Sequence, residues 1–289
     1  MSRSLIKGLG QKLLSGYSLL FFIFLYLPIG LIFVYSFNGK PLNMMIWSEA
    51  SLDWYRSIFG MANHLADNVQ YIESTDQLLG SLRTSLSVAL ITALISTVIG
   101  TLTALALARF RFRLQGFYRM LLFMPMMMPD VVLGISLLIF FVNIGIPLGK
   151  VSIIIGHCSF LVSYVFIVVS ARLAGMDTRL EEASADLGAN PWYTFRRITL
   201  PMILPGVIGG ALLSFIISMD DLVITYFISG VDSTTLPVYI YGMIRRGIKP
   251  EINAIATLLI LASLLIAAVG LYLRNRQPAA LKAEDSHGS

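Results

Sequence analysis

Six stretches of about 20 predominantly apolar residues recur along the 289-residue chain, and each is long enough to cross the roughly 30 Å hydrocarbon layer of a bilayer as an α-helix. They lie at about 17–37, 84–108, 120–143, 151–173, 203–229 and 252–273. That layer holds no water, so a spanning segment must satisfy its backbone N–H and C=O groups internally, and the pattern predicts an all-α membrane protein. Composition agrees. Only 13% of residues are charged and mean hydropathy is +0.79, whereas a soluble domain carries about 25% charge to build its polar shell.

The net charge is +5, but the basic residues sit in short clusters between apolar runs, which speaks for membrane topology and against nucleic-acid binding. With the N-terminus in the cytoplasm, the inside segments hold Arg3, Lys7 and Lys12, then Arg109, Arg111, Arg113 and Arg119, then Arg172, Arg179, Arg196 and Arg197, then Arg274, Arg276 and Lys282. Most of the 21 basic residues are therefore inside, and the positive-inside rule places both termini in the cytoplasm. The Arg245-Arg246 pair runs against it. The run Tyr17 to Tyr35 exceeds a signal-peptide core and has no Ala-x-Ala site after it, so it is expected to remain as an uncleaved first span.

This reading divides the chain into an N-terminal part, 1–83, with the first span and an external loop 38–83; a core, 84–273; and a tail, 274–289, expected to be disordered in the cytoplasm. The single cysteine, Cys158, excludes an intrachain disulfide or a cysteine metal site, and His64, His157 and His287 have no partners at ligand spacing. No Gly-x-x-x-x-Gly-Lys-Ser/Thr loop occurs, so ATP and its magnesium are expected on another subunit and no cofactor on this chain.

The internal segment 177–201 reads as a short polar helix, a glycine stop, a turn and a second helix entering the next span. Asp177 suits the N-cap, Glu181 and Glu182 the favourable first turn, Gly188 a left-handed C-terminal position, and Pro191 the opening of the following helix. The residues alone leave two readings: a rigid knob that docks into a partner's groove, or an inter-span loop with well-made caps.

Glu182-Ala183-Ser184, three residues, Gly188, nine residues, then Ile198-Thr199-Leu200-Pro201 resembles the EAA loop of binding-protein-dependent ABC importer permeases, with Ser184 standing for the second alanine. The resemblance implies a type I ABC-importer permease (MetI-like) fold in a bacterial inner membrane. It also implies a coupling role for Glu182, Ala183, Ser184, Gly188, Ile198, Leu200 and Pro201 against an ATP-binding-cassette ATPase dimer. A second, homologous permease subunit and an external solute-binding protein are further implied partners. The stretches 128–138, 213–224, 236–241 and 245–254 look closest to the spermidine/putrescine branch, although the polar loop 62–79 is longer than usual there.

Three carboxylates fall within apolar runs: Asp130, Asp220 and Asp221. Asp130 follows Arg119 by 11 residues, about 16 Å along a continuous helix and hence near mid-bilayer. A carboxylate at that depth costs about 2.5–3.5 kcal/mol, so it should face protein or a watery path. A polyamine needs separated carboxylates and apolar or aromatic walls. The three aspartates are therefore expected to line the path, with Tyr226, Phe227, Tyr239 and Tyr241 adding cation–π contacts. The alternative is that the aspartates cap helix breaks or pair with arginines of the partner subunit. Other solutes (iron, sulfate, an amino acid), an intramembrane aspartyl protease and a passive channel are the rival functions.

Overall fold

The computed structural model describes residues 3–39, 47, 49–61, 69–246 and 251–275. Among them regular structure is helical, apart from one isolated bridge between Asn38 and Ala50. The helices are α1 (Arg3–Tyr35), α2 (Asp53–Ile58), α3 (Val69–Arg109), α4 (Gln115–Met127), α5 (Asp130–Asn143), α6 (Lys150–Ala174) and α7 (Arg179–Asp186). They continue with α8 (Pro191–Thr194), a π-helical turn Phe195–Thr199, α9 (Leu200–Asp220), α10 (Val223–Ile228), α11 (Leu236–Arg246) and α12 (Glu251–Asn275). The tail expected to be disordered lies, from residue 276 onward, outside the described residues, as do 62–68 of the external loop and 247–250.

The chain forms two compact units, Met1–Thr75 with Met243–Ser289, and Asp76–Gly242. In the first, α1 packs with α12 and α12 with α2. None of the α1 side chains from 11 to 35 is buried, as suits an apolar helix bathed in lipid. The chain leaving α1 is pinned by Trp54, which is buried and donates its indole N–H to the Asn38 carbonyl at 2.9 Å.

The second unit is built around α6, which packs against α9 and α4. Lipid tails are as apolar as leucine, so helices in a bilayer associate through close packing at small residues. Here those residues are glycines. A Cβ on Gly100 of α3 would lie 2.8 Å from Val165 Cβ and 2.9 Å from the Val162 carbonyl of α6, and one on Gly210 of α9 would lie 3.2 Å from Val165 Cγ1. Val165, fully buried, is thus held between two glycine faces.

Three sequence expectations need correction. Residues 69–83, assigned to the external loop, belong to α3. Leu78, Ser81, Ser85, Val88 and Thr92 form a buried stripe at helical spacing, but its serines and threonine hide it from a hydropathy reading. The third span is broken: α4 and α5 meet at 105°. Met128 precedes Pro129, whose ring disfavours helical backbone at the residue before it, and Met128 is extended at φ −76°, ψ 137°. Asp130 therefore opens a new helix, and the depth inferred along a continuous one does not apply. The fifth span is broken as well, at Asp221, which is extended at φ −65°, ψ 119° between α9 and α10. Among the described residues four helices are long and apolar enough to span alone, and there are five spans if the bent α4–α5 pair counts as one; the apolar part of α12, Ile252–Leu265, is shorter.

Gly100→Val should lower the melting temperature of the detergent-solubilised protein, since the clash includes backbone and overpacking costs about 1–3 kcal/mol. Gly30→Ala, where a Cβ meets nothing within 4 Å, should not.

Candidate functional site

Both helix breaks open onto one cavity of about 320 Å³, lined by Pro125, Met126, Asp130, Leu133, Phe160, Tyr164, Ile216, Ile217, Asp220, Asp221, Leu222 and Val223. It brings together all three aspartates of the apolar runs, although 90 residues separate Asp130 from Asp220 in the chain. Among the described residues no ion pair or hydrogen bond engages the side chains of Asp130 and Asp220, and both are exposed. Asp221 differs. Its Oδ2 accepts from the Thr225 backbone N–H at 2.7 Å, from Thr225 Oγ1 at 2.7 Å and faces His157 Nε2 at 3.2 Å. The first of these bonds satisfies an N–H left open at the start of α10, the service an N-cap performs. Asp221 thus takes the capping role of the alternative reading while also facing the cavity.

The aromatic residues expected beside the carboxylates lie elsewhere. Phe227 packs into the core, against the Gly134 backbone of α5. Tyr226, exposed, meets Phe227 and Tyr241 edge-on at ring-centroid distances of 5.9 and 5.8 Å. Tyr239 lines a separate, polar cavity of about 600 Å³ with Arg83, Lys150 and Asp232. The aromatic wall of the acidic cavity comes from Phe160 and Tyr164 of α6, whose rings meet edge-on at 6.4 Å. They sit one turn apart on α6, so their shared face was legible from spacing, but nothing in the sequence tied it to the aspartates.

At the other end of α9, residues 177–201 form two short helices meeting at a turn. Gly188 ends α7 with φ +81°, and Pro191 opens α8 behind Asn190, whose Oδ1 accepts from Tyr193 N–H at 2.7 Å. Ahead of α7, Asp177 Oδ1 accepts the Arg179 N–H at 3.0 Å, the capping bond expected of it, while Thr178, already helical at φ −67°, ψ −21°, makes no side-chain cap. Buried Ser184 bonds Thr194 Oγ1 at 2.9 Å, so the hydroxyl that departs from alanine stitches α7 to α8. Glu182, Ala183, Leu187 and Trp192 are exposed, and Leu187 is 89% exposed.

The knob is tied to the spans by Glu181, whose carboxylate receives Arg109 Nη2 at 2.5 Å and the Thr199 hydroxyl. Arg109 Nη2 also donates to Thr199 Oγ1 at 3.1 Å. An isolated surface ion pair contributes at most about 1 kcal/mol, so the value of this trio is geometric: it joins α7, the end of α3 and the π-helical turn. Ile198, Leu200 and Pro201 lie on that turn and at the start of α9, carrying one helical path from α8 into the membrane.

Residues 96–278 match the family described as the binding-protein-dependent transport system inner membrane component. The spermidine/putrescine transport system permease protein PotC of Escherichia coli strain K12 is 38% identical over 258 residues, covering 89% of this chain and 92% of that protein. The putrescine transport system permease protein PotI of the same strain is 40% identical over 265 residues, covering 89% of each. Two solved structures share the fold. A bacterial ABC transporter involved in import of the acidic polysaccharide alginate has a TM-score of 0.65 at 15% identity, covering 96% of this chain and 99% of that one. The inward-facing MetNI methionine ABC transporter has 0.54 at 20% identity, covering 68% and 95%.

A double-mutant cycle of Ser184→Ala and Thr194→Val, read by thermal unfolding, should give a coupling of about 1 kcal/mol, the net worth of one buried hydrogen bond. The single variants should cost more than the pair, because each leaves one buried hydroxyl or its space unmatched.

Proposed function

The chain belongs to the family of binding-protein-dependent transport system inner membrane components, and from that premise we propose that it is the membrane-spanning subunit of an ATP-driven importer for putrescine or spermidine. The observation that carries the substrate is the convergence of Asp130, Asp220 and Asp221 on one cavity. A polyamine is a flexible alkyl chain with ammonium groups at intervals. Asp130 and Asp220, free of protein partners among the described residues, are suited to take two of those groups, and Leu133, Ile216 and Ile217 face the methylenes between them. Phe160 and Tyr164 add ring faces that attract a desolvating cation.

The chain is a transport subunit and supplies no phosphate loop of its own. In the proposed assembly two such halves, related but distinct, form the pathway in the inner membrane. A dimeric ATPase binds ATP and magnesium, and an external binding protein delivers the polyamine. Closure of the ATPase pushes on α7 through exposed Glu182, Ala183 and Leu187. The Ser184–Thr194 bond keeps α7 and α8 one body, and the Glu181–Arg109–Thr199 trio passes the push to α3 and α9. A helix of 21 residues is about 31 Å long, and α9 runs from that trio to Asp220 at the cavity. Movement at the knob is thereby felt at the carboxylates.

Uptake of radiolabelled putrescine and spermidine in cells lacking their own polyamine importers tests this. Asp130→Asn and Asp220→Asn should each raise KM about tenfold, because a charge-assisted bond contributes roughly 1.5–3 kcal/mol. Gly188→Val should instead lower the maximal rate, since the left-handed backbone disfavours a branched side chain and α7 would be misaimed. Normal polyamine kinetics in both aspartate variants would refute the substrate path.

A further inference from the structure

His157 is the one histidine among the described residues and is completely buried, yet all of its ring capacity is engaged at the break between α9 and α10. Nδ1 faces Ser218 Oγ at 2.8 Å, and Nε2 faces Thr225 Oγ1 at 2.9 Å and Asp221 Oδ2 at 3.2 Å. Ser218 belongs to the last turn of α9, Asp221 to the break and Thr225 to α10, so a single ring of α6 touches every part of the broken span. A ring with its hydrogen on Nε2 satisfies the whole group. Ser218 donates to Nδ1, Nε2–H donates toward Thr225 Oγ1 and Asp221 Oδ2, and the Thr225 hydroxyl and backbone N–H donate to the same Oδ2.

The bonds to Asp221 are unevenly placed. All three fall on Oδ2, so the carboxylate is held by one oxygen and its orientation is set. A second bond fixes the far end of α10, where Ser152 Oγ donates to the Ile228 carbonyl at 2.8 Å. Gly156, between Ser152 and His157 in α6, leaves the space that the Ile228 side chain fills. The segment 221–228 is therefore clamped to α6 at both ends, and the break in the span is a fixture with a defined geometry.

We propose that His157 is a positioning residue for import: by holding Asp221 Oδ2 it aims the other carboxylate oxygen into the cavity shared with Asp130 and Asp220, so that the three carboxylates meet the ammonium groups of the substrate in one arrangement. It does not touch the substrate itself. The proposal rests on the reading of that cavity as the polyamine path.

Two amide variants separate aiming from filling. Glutamine places a donor N–H near the position of Nε2, facing Asp221 and Thr225, whereas asparagine places one near Nδ1, facing Ser218. Putrescine uptake by the assembled transporter in proteoliposomes, with the amount of assembled complex measured alongside, should show KM raised about tenfold in His157→Asn at a nearly unchanged maximal rate per complex. His157→Gln should stay within about threefold of the parent in KM, because a neutral donor still meets Oδ2.

Equal KM in the two amide variants overturns the proposal, and so does loss of assembled complex in His157→Asn with ordinary kinetics per complex, which makes the histidine structural only. Asp220→Asn, run in parallel, tells this failure from that of the path reading. An unchanged KM both there and in Asp130→Asn refutes the path and the proposal together, while a raised KM with equal amide variants refutes the proposal alone.

Discussion

A polypeptide inside hydrocarbon has no water to bond its backbone, so each interruption of a helix there must be compensated by protein groups or placed beside a wet cavity. The central unit of this chain contains two such interruptions, at Met128–Pro129 and at Asp221–Leu222, and most of what is distinctive about it follows from how they are satisfied. Pro129 has no N–H to leave open, and its carbonyl receives Leu133 N–H at 3.0 Å to start α5. At the second break the Asp221 carboxylate receives the Thr225 N–H. Because α5 and α10, which start at the two breaks, pack directly against each other, the polar groups the breaks require and the space they open become one acidic cavity.

The helix that ends at that cavity begins at the knob. α9 continues from α8 through the π-helical turn, where Thr199 joins Arg109 and Glu181, and it lies along α6 at glycine contacts. Gly206 sits against Arg172, where a Cβ would come within 2.9 Å of that side chain, and Gly210 sits against Val165. Packing this close seats α9 along α6, while Pro205 in its interior forfeits one helical hydrogen bond. A helical connection running from the exposed α7–α8 knob to a set of carboxylates is what the proposed coupling requires.

Much of the fold was legible because its causes are local. Hydropathy marks α6 almost to the residue, and Gly188, Asn190 and Pro191 show how the knob turns, since each acts on backbone within a few positions. The aspartates stood out because charge in an apolar run is costly. Other features escaped for physical reasons. The buried start of α3 is polar enough to resemble a loop. The turn at Met128 was signalled by Pro129, but proline also occurs within α4, at Pro125, where the helix continues, so the residue type alone does not tell a kink from a right-angled break. His157 looked like a stray polar residue because its partners lie 61 to 68 positions away.

The amino-acid sequence by itself determined that the chain is helical, that it spans the membrane, where its knob turns and which charges it places among apolar residues. These depend on periodicity, on glycine and proline geometry and on the cost of burying charge, all of which act over one or two turns. Only the tertiary structure decided that Asp130 meets Asp220 and Asp221, that Glu181 is tied to Arg109, that Phe160 and Tyr164 rather than the later tyrosines wall the cavity, and that His157 holds Asp221. Those meetings depend on the depth and rotation at which α6 seats against α3, α5 and α9, and that register is set by the joint fit of many small contacts rather than by any one segment.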